Sequence, residues 1–192
     1  MNLRIVIAAI LIAALPAFAQ QAAWSWDDGT VPYVQTPMEI VERMLRMAEV
    51  KKDDYVIDLG SGDGRIIIEA AKRGARGLGV DIDPNLVKHA TENAQKAGVG
   101  ERTQFIVKDI FETDLSRATV VAFYLLPDFN AKLLPKLLAL KPGTRIVSHA
   151  FDMGTWKPEQ TLNLGGRNVY FWTIPAPGTA SYKAAMAAAS GT

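Results

Sequence analysis

A glycine-rich turn that follows an acidic residue is the part of this sequence best suited to bind a ligand. Residues 56–68, VIDLGSGDGRIII, contain an apolar run with Asp58 near its end, glycines at positions 60, 62 and 64, and a second apolar run. Glycine lets a strand turn tightly into a helix and lets a ligand approach the backbone. The first turn of the helix then offers free N–H groups to an anionic group. We therefore predict a ligand site that includes Asp58, Gly60, Gly62 and Gly64.

The glycine spacing and the acid in front of it favour one class of nucleoside ligand. A dinucleotide fingerprint, G-x-G-x-x-G, would place its third glycine at position 65, which is occupied by Arg65. The Asp58 carboxylate would also repel a pyrophosphate, whereas it would attract a cationic amine. A ligand with ammonium, carboxylate and sulfonium groups fits better, and S-adenosylmethionine has all three. A glycine turn without a ligand is the alternative.

Two further acids follow the next two predicted strands. Asp81 ends the strand GLGVDI about 20 residues after the glycine turn, where an acid accepts hydrogen bonds from ribose hydroxyls. Ile82 would then offer an apolar face to adenine. Asp109 ends the third strand, where it could accept from the adenine amino group with Ile110 alongside. For Asp109, a solvated acid at a strand end is the alternative.

These residues need a scaffold that brings the ends of several strands together. From Tyr55 onward, short apolar strands alternate with helical segments, which predicts a parallel sheet with helices on both faces. The segments QTLNL and NVYFWTIP flank GGR and predict an antiparallel pair. Ahead of the sheet, Thr36 is expected to cap a helix that begins at Pro37. In such α/β sheets ligands bind at the carboxyl ends of the strands, where the strand order reverses.

The composition excludes several kinds of site. The chain has 192 residues, no cysteine, and only two histidines, His89 and His149. Disulfides, thiolate zinc sites, cysteine nucleophiles and histidine-rich metal sites are therefore excluded, and no metal is expected. The net charge is +1 and lysine and arginine form no long run, which argues against a nucleic-acid partner.

The motifs resemble those of class I S-adenosylmethionine-dependent methyltransferases. DLGSGDG looks like their first motif, GVDID like their second, and LKPGTRIVS like the turn before their fifth strand. VPYVQTP, YLLP and GTRIVSHAF carry a narrower resemblance, to small archaeal protein lysine methyltransferases of broad specificity and to mitochondrial lysine methyltransferases.

The resemblance implies a fold, a cofactor and an acceptor. The fold is α/β, a Rossmann-like seven-stranded sheet of order 3-2-1-4-5-7-6 with the last strand antiparallel and helices on both faces. S-adenosyl-L-methionine is the implied cofactor, and a protein with an accessible lysine is the implied partner. Tyr33 and Thr36 are implied to close over the methionine end of the cofactor.

Two residues are catalytic candidates: Tyr124 could orient the lysine amine, and His149 could border the acceptor site. Tyr124 ends the fourth strand in AFYLLP and faces the glycine turn, although it could instead be a core aromatic residue. His149 ends the fifth strand in SHAF, where a structural histidine is the alternative. A strong general base is not required, because an apolar pocket beside a sulfonium lowers the pKa of the amine. No N-P-P-Y motif follows the fourth strand, which counts against amide and adenine amino acceptors.

The first 19 residues are expected to be a signal peptide or a membrane anchor. Arg4 precedes an apolar stretch from Ile5 to Ala19, and the final AFA matches a signal-peptidase site. The stretch is shorter than the roughly 20 residues of a membrane span, so we predict cleavage after Ala19 and export to the periplasm or the medium. Residues 20–35 are then an N-terminal arm, 36–176 the methyltransferase domain, and 177–192 a flexible tail.

Two other functions stay open from the sequence. The chain could methylate small molecules, or it could be an exported protein that binds S-adenosylmethionine without catalysis, because the donor is made in the cytoplasm. We expect a monomer, and a membrane as a second partner if the N-terminus is retained as an anchor.

Overall fold

The structure is a computed structural model, and it describes residues 33–191. The expected signal peptide or anchor (1–19) and residues 20–32 of the expected arm lie outside the described residues. Cleavage after Ala19, export and anchoring therefore stay predictions.

A seven-stranded sheet with the order β3-β2-β1-β4-β5-β7-β6 forms the centre of the described chain. The strands are β1 (Tyr55–Leu59), β2 (Arg76–Asp81), β3 (Thr103–Val107), β4 (Val120–Phe123), β5 (Arg145–His149), β6 (Gln160–Leu164) and β7 (Arg167–Thr173). Strand β7 pairs antiparallel with both β5 and β6, and the remaining neighbours pair parallel. This topology confirms the predicted sheet, including the antiparallel pair.

Helices cover both faces of the sheet. They are α1 (Met38–Met47), α2 (Arg65–Lys72), α3 (Pro84–Lys96), α4 (Pro127–Leu138) and α5 (Ala180–Ser190), with a short 3-10 helix at Gly100–Arg102. Alternate residues of β1 face two separate apolar clusters, as expected for a strand buried on both sides. Ile57 and Leu59 pack in the cluster that contains α4 and α5, whereas Val56 packs in the one that contains α1 and α2.

The reversal of strand order places the ends of β1 and β4 side by side. The chain runs from β1 outward to β2 and β3, then returns to place β4 on the other side of β1. Leu59 pairs with Phe123, so the residues that follow these two strands emerge next to each other. This is the switch point at which ligands bind in open α/β sheets.

The C-terminal segment is helical where we expected a flexible tail. Helix α5 begins after Thr179, whose side chain accepts a hydrogen bond from the Tyr182 N–H at 3.1 Å. Alanine has the highest helix propensity, and the i,i+3 spacing of Ala185 and Ala188 puts both on one buried face beside α4. The structure therefore shows this alanine-rich segment as a helix packed beside α4, and its flexibility stays a prediction.

The prediction that Thr36 caps the first helix was wrong. Helix α1 begins at Met38, with Pro37 as its N-cap and no side-chain cap hydrogen bond. The Thr36 hydroxyl is instead hydrogen-bonded to His149 Nδ1 at 3.1 Å. A tertiary contact has replaced the local cap, and it ties the start of α1 to the end of β5.

Candidate active site

The backbone of the turn between β1 and α2 explains its three glycines. Gly60, Gly62 and Gly64 all have positive φ angles, at 78°, 52° and 82°. Residues with a side chain rarely adopt this left-handed conformation. A Cβ atom on Gly62 would also lie 2.4 Å from Tyr33 Cε2, and one on Gly64 would lie 2.7 Å from Phe105 Cζ. The positive φ angles therefore favour glycine at all three positions, and Gly62 and Gly64 also lack room for a Cβ atom.

Asp81 fastens this glycine turn to the end of β2. Its Oδ2 accepts a hydrogen bond from the Gly62 N–H at 2.8 Å, and its Oδ1 accepts one from the Asp83 N–H at 3.1 Å. The N–H groups of Gly60 and Ser61 donate to the Val80 carbonyl at 2.9 Å each. A carboxylate oxygen can accept a second hydrogen bond, so Asp81 retains capacity for a ribose hydroxyl.

Asp58 is buried beneath the turn without a hydrogen-bond donor among residues 33–191. Its exposed fraction is 2%. Burial, and then the negative charges of Asp81 and Asp63, raise the pKa of Asp58 well above its ordinary value. The Ser61 hydroxyl is also buried and has no hydrogen-bond partner in the described part of the chain. Buried polar groups in this state are unfavourable unless a ligand completes them, and a cationic amine is the group that suits a carboxylate.

Residues just before α1 lie over the glycine turn and are held there by a polar network. Arg65 Nη1 donates to the Thr36 carbonyl at 2.8 Å, and Arg65 Nε donates to Asp63 Oδ1 at 2.8 Å. Gln35 Nε2 donates to the Tyr33 hydroxyl at 2.9 Å and to Asp63 Oδ2 at 3.3 Å. Although burial alone would raise it, the hydrogen bonds and charge of Arg65 lower the pKa of Asp63. This network holds Tyr33 and Thr36 beside the glycine turn, and the cover over the cofactor that the resemblance implies for them stays a prediction.

The residues predicted to face adenine are more exposed to solvent than Asp58 and Asp81. Ile82 is 67% exposed directly after β2. Asp109 is exposed after β3, and its Oδ1 accepts a hydrogen bond from the Phe111 N–H at 2.7 Å. Ile110 is half-buried and packs against the apolar cluster of α4 and α5. Because β2 and β3 are parallel neighbours, all three residues lie at the same edge of the sheet as the glycine turn.

Three aromatic side chains stand at the ends of β4 and β5, and we call them the aromatic wall: Tyr124, His149 and Phe151. The Tyr124 ring lies 4.1 Å from the His149 ring and 6.3 Å from the Phe151 ring, measured between centroids. Burial, with a further contribution from the charge of Arg167, lowers the pKa of His149 from 6.5 to about 4. The imidazole is therefore neutral near neutral pH, so the wall is uncharged.

Some residues of the site were not among those that the sequence predicts. Phe151 lies two residues beyond β5, so its position in the wall depends on the turn that follows the strand. The Asp63–Arg65 pair joins residues of the glycine turn itself, at 2.5 Å. Its only signal in the sequence is the alternation of charged residues with glycine in SGDGR.

Other features of the described chain lie apart from this site. A surface groove lies at the amino ends of β2 and β3, at the end of the strands opposite the glycine turn. The residues that line it include Arg76, Gln95 and Arg102. Within residues 33–191, no three histidine or acidic side chains are grouped so that they could hold a metal ion.

The fold and the site together define a class I methyltransferase whose cofactor is S-adenosylmethionine. A sequence model of the ANTKMT methyltransferase domain matches residues 58–160 of this chain, which is more than half of its length. The chain belongs to the ANTKMT methyltransferase family.

Known proteins similar to this chain agree on methyl transfer but differ in the acceptor they name. The protein-lysine N-methyltransferase of Saccharolobus islandicus is 45% identical over 151 residues, which cover 75% of this chain and 94% of that protein. The adenine nucleotide translocase lysine N-methyltransferase of Mus musculus is 33% identical over 150 residues, or 77% of this chain, and the match spans 65% of the mouse protein. The crystal structure of an RNA methyltransferase from Salinibacter ruber in complex with S-adenosyl-L-homocysteine is 54% identical, with a TM-score of 0.73, and the match covers 76% of this chain and 98% of that one.

Proposed function

We propose that this enzyme transfers a methyl group from S-adenosylmethionine to the side-chain amine of lysine in a protein. The observation that carries the proposal is the uncharged aromatic wall beside the glycine turn. Aromatic faces attract ammonium groups, and a neutral His149 adds no positive charge that would repel one. The lysine methyltransferases of Saccharolobus islandicus and Mus musculus support the same acceptor.

The predicted cofactor residues have separate roles in this proposal. Asp58 holds the ammonium group of the cofactor, and the backbone at Gly60, Gly62 and Gly64 leaves room for its amino-acid end. Asp81 accepts hydrogen bonds from the ribose hydroxyls. Ile82, Asp109 and Ile110 border adenine, and Tyr33 and Thr36 cover the methionine end.

The aromatic wall prepares the lysine amine for attack. S-adenosylmethionine supplies a methyl group on a cationic sulfur; as the amine nitrogen bonds to that carbon, the C–S bond breaks and its electron pair stays on sulfur. Lysine has an ordinary pKa near 10.4 and must lose a proton before it can attack, and the positive sulfonium next to the bound amine disfavours the ammonium form and so favours that loss. No residue between positions 33 and 191 hydrogen-bonds to the Tyr124 hydroxyl, so this group is available to orient the neutral amine.

RNA is the second candidate acceptor. The similar protein from Salinibacter ruber is named as an RNA methyltransferase, and aromatic side chains also stack on unpaired bases. Two features weigh against RNA. The net charge of +1 provides little attraction for phosphates, and the chain continues as YLLP rather than N-P-P-Y after β4.

Radiolabelled S-adenosylmethionine with a mixture of cellular protein, RNA and small metabolites tests the proposal. We expect the label in methylated lysine after protein hydrolysis. Tyr124→Phe, which keeps the ring and removes the hydroxyl, should lower kcat by up to about tenfold, the effect of one hydrogen bond. Label in RNA alone would assign the second function, and label in metabolites alone would assign a small-molecule methyltransferase. Binding of the donor without any transfer would indicate a sensor.

We also propose that the enzyme is exported or anchored at its N-terminus, on the strength of the apolar segment from Ile5 to Ala19, and that it is a monomer. Within residues 33–191, no helix is long and apolar enough to cross a membrane. If the N-terminal segment is cleaved, mass spectrometry of the native protein should find Gln20 as its first residue; if it is retained as an anchor, the intact chain should be found in the membrane fraction. Sedimentation should give the mass of one chain. An intact Met1 in a soluble cytoplasmic fraction would contradict export.

A further inference from the structure

We propose that Asn130 and Ser148 are positioning residues for the acceptor site. They fix a left-handed turn at Ala150, and this turn places Phe151 against Tyr124. The inference rests on the proposed methyltransferase function and adds to it the residues that shape the acceptor side.

The turn after β5 has an unusual backbone. Ala150 has a φ angle of 66°, a conformation that is unfavourable for any residue with a Cβ atom. The Phe151 N–H donates to the His149 carbonyl at 2.9 Å, which closes a three-residue γ-turn of the rare, strained form. Such a turn persists only where the surrounding structure holds it.

Two buried side chains hold this turn through its carbonyl groups. Asn130 Nδ2 donates to the carbonyls of Phe151 at 3.3 Å and Asp152 at 3.0 Å. Ser148 Oγ donates to the same Phe151 carbonyl at 2.6 Å. These donors thus satisfy the carbonyl groups of the two residues that follow Ala150.

Asn130 is a polar side chain buried beside the apolar residues of α4. It lies on α4 with an exposed fraction of 0%, and Leu133 and Leu134 on the same helix are buried in the apolar cluster. Its Oδ1 has no hydrogen-bond partner in the described structure. A buried amide with an unsatisfied oxygen is unfavourable, so its two donated hydrogen bonds account for its presence.

The turn and the cofactor site occupy different sides of the switch point. Phe151, which the turn positions, stacks on Tyr124 at the ends of β4 and β5. Asp58 and Asp81 lie at the ends of β1 and β2. Loss of Asn130 should therefore disturb acceptor binding and leave cofactor binding intact.

Steady-state kinetics with the acceptor that the wild-type enzyme labels, together with calorimetry of S-adenosylhomocysteine, tests this inference. Asn130→Ala should raise the acceptor KM by about tenfold, the effect of two lost hydrogen bonds, with unchanged affinity for S-adenosylhomocysteine. Gln95→Ala, which removes an exposed amide from α3, is the matched control and should change neither value.

A second variant separates positioning from general stability. Glycine adopts a positive φ without strain, so adding Ala150→Gly to Asn130→Ala should recover part of the acceptor affinity. If Asn130→Ala fails to fold, Ser148→Ala removes the other donor to the Phe151 carbonyl. It should also raise the acceptor KM without changing the affinity for S-adenosylhomocysteine, but by a smaller factor. A wild-type acceptor KM in the folded variant, or an equal loss of acceptor and S-adenosylhomocysteine binding, would overturn the inference. Absence of lysine labelling by the wild-type enzyme would instead defeat the proposed acceptor.

Discussion

Asp58 is a carboxyl group that the folded chain buries almost completely. Its pKa is raised, first by burial and then by Asp81 and Asp63, whereas an unfolded chain leaves it at its ordinary value of 3.8. Above that value the unfolded chain releases the proton more readily than the folded chain does. The stability of the ligand-free protein therefore falls as pH rises from the ordinary pKa through the raised one. Stability is reduced at this residue in favour of ligand binding.

The Asp58→Asn variant tests whether Asp58 lowers protein stability and strengthens ligand binding. We expect it to unfold at a higher temperature than the wild-type protein near neutral pH when both are ligand-free. It should bind S-adenosylhomocysteine roughly 10- to 100-fold more weakly, because a hydrogen bond to a charged group is lost. In the wild type, affinity should rise with pH until the raised pKa of Asp58 is passed, since an ammonium group binds the ionised form. Scanning calorimetry and titration calorimetry across the pH range measure both effects.

The control for this variant is Asp53→Asn, which changes an exposed acid in the loop before β1. It should alter neither the affinity nor its pH dependence. An Asp58→Asn protein that binds as tightly as the wild type would show that this carboxylate does not hold the amine.

At the scale of elements, two features require glycine in the turn between β1 and α2: the positive φ angles and the close packing of the Tyr33 ring against Gly62. A Cβ on Gly62 would lie 2.4 Å from a Tyr33 ring carbon, whereas one on Gly98 after α3 would meet nothing within 4 Å. Both glycines have positive φ, at 52° and 71°. Alanine at either position thus carries the same kind of backbone strain, and only Gly62 adds a steric clash.

Gly62→Ala and Gly98→Ala form a matched pair. Each should lower the free energy of unfolding by about 1–2 kcal/mol, the penalty for a left-handed residue with a side chain. Only Gly62→Ala should weaken S-adenosylhomocysteine binding, by about tenfold or more, because Tyr33 must leave the turn. Denaturant unfolding and titration calorimetry give the two quantities. Equal binding by both variants would show that the contact between Tyr33 and the turn is not needed for the cofactor.

Local signals in the sequence predicted the elements that depend on local chemistry. The glycines of the first turn and the Gly165–Gly166 hairpin are both observed, because backbone conformation within a few residues determines them. The order of the strands came from the resemblance to a known family and is also observed.

Features that depend on distant partners were not predicted. Thr36 looks like a helix cap, but its hydroxyl pairs with His149, which is 113 residues away in sequence. Asn130 lies 21 residues from the Phe151 carbonyl that it holds. No local pattern shows these contacts, because they depend on the tertiary arrangement that brings segments distant in sequence together.

At the scale of the whole molecule, the predicted cofactor residues and the predicted acceptor residues lie on opposite sides of the switch point of the sheet. Asp58, Asp81 and the glycine turn lie at the ends of β1 and β2, and the aromatic wall lies at the ends of β4 and β5. Residues that affect the cofactor should therefore differ from those that affect the acceptor. The two proposals predict this separation through Asp58 on one side and Asn130 on the other.

A crystal structure of the protein with S-adenosylhomocysteine tests the central claim most directly. We predict the amino group of the ligand about 2.7–2.9 Å from an Asp58 carboxylate oxygen, the spacing of a charge-assisted hydrogen bond, with the ribose hydroxyls at Asp81. A glycine turn left empty in that crystal, or a ligand found in the groove at the amino ends of β2 and β3, would contradict the account.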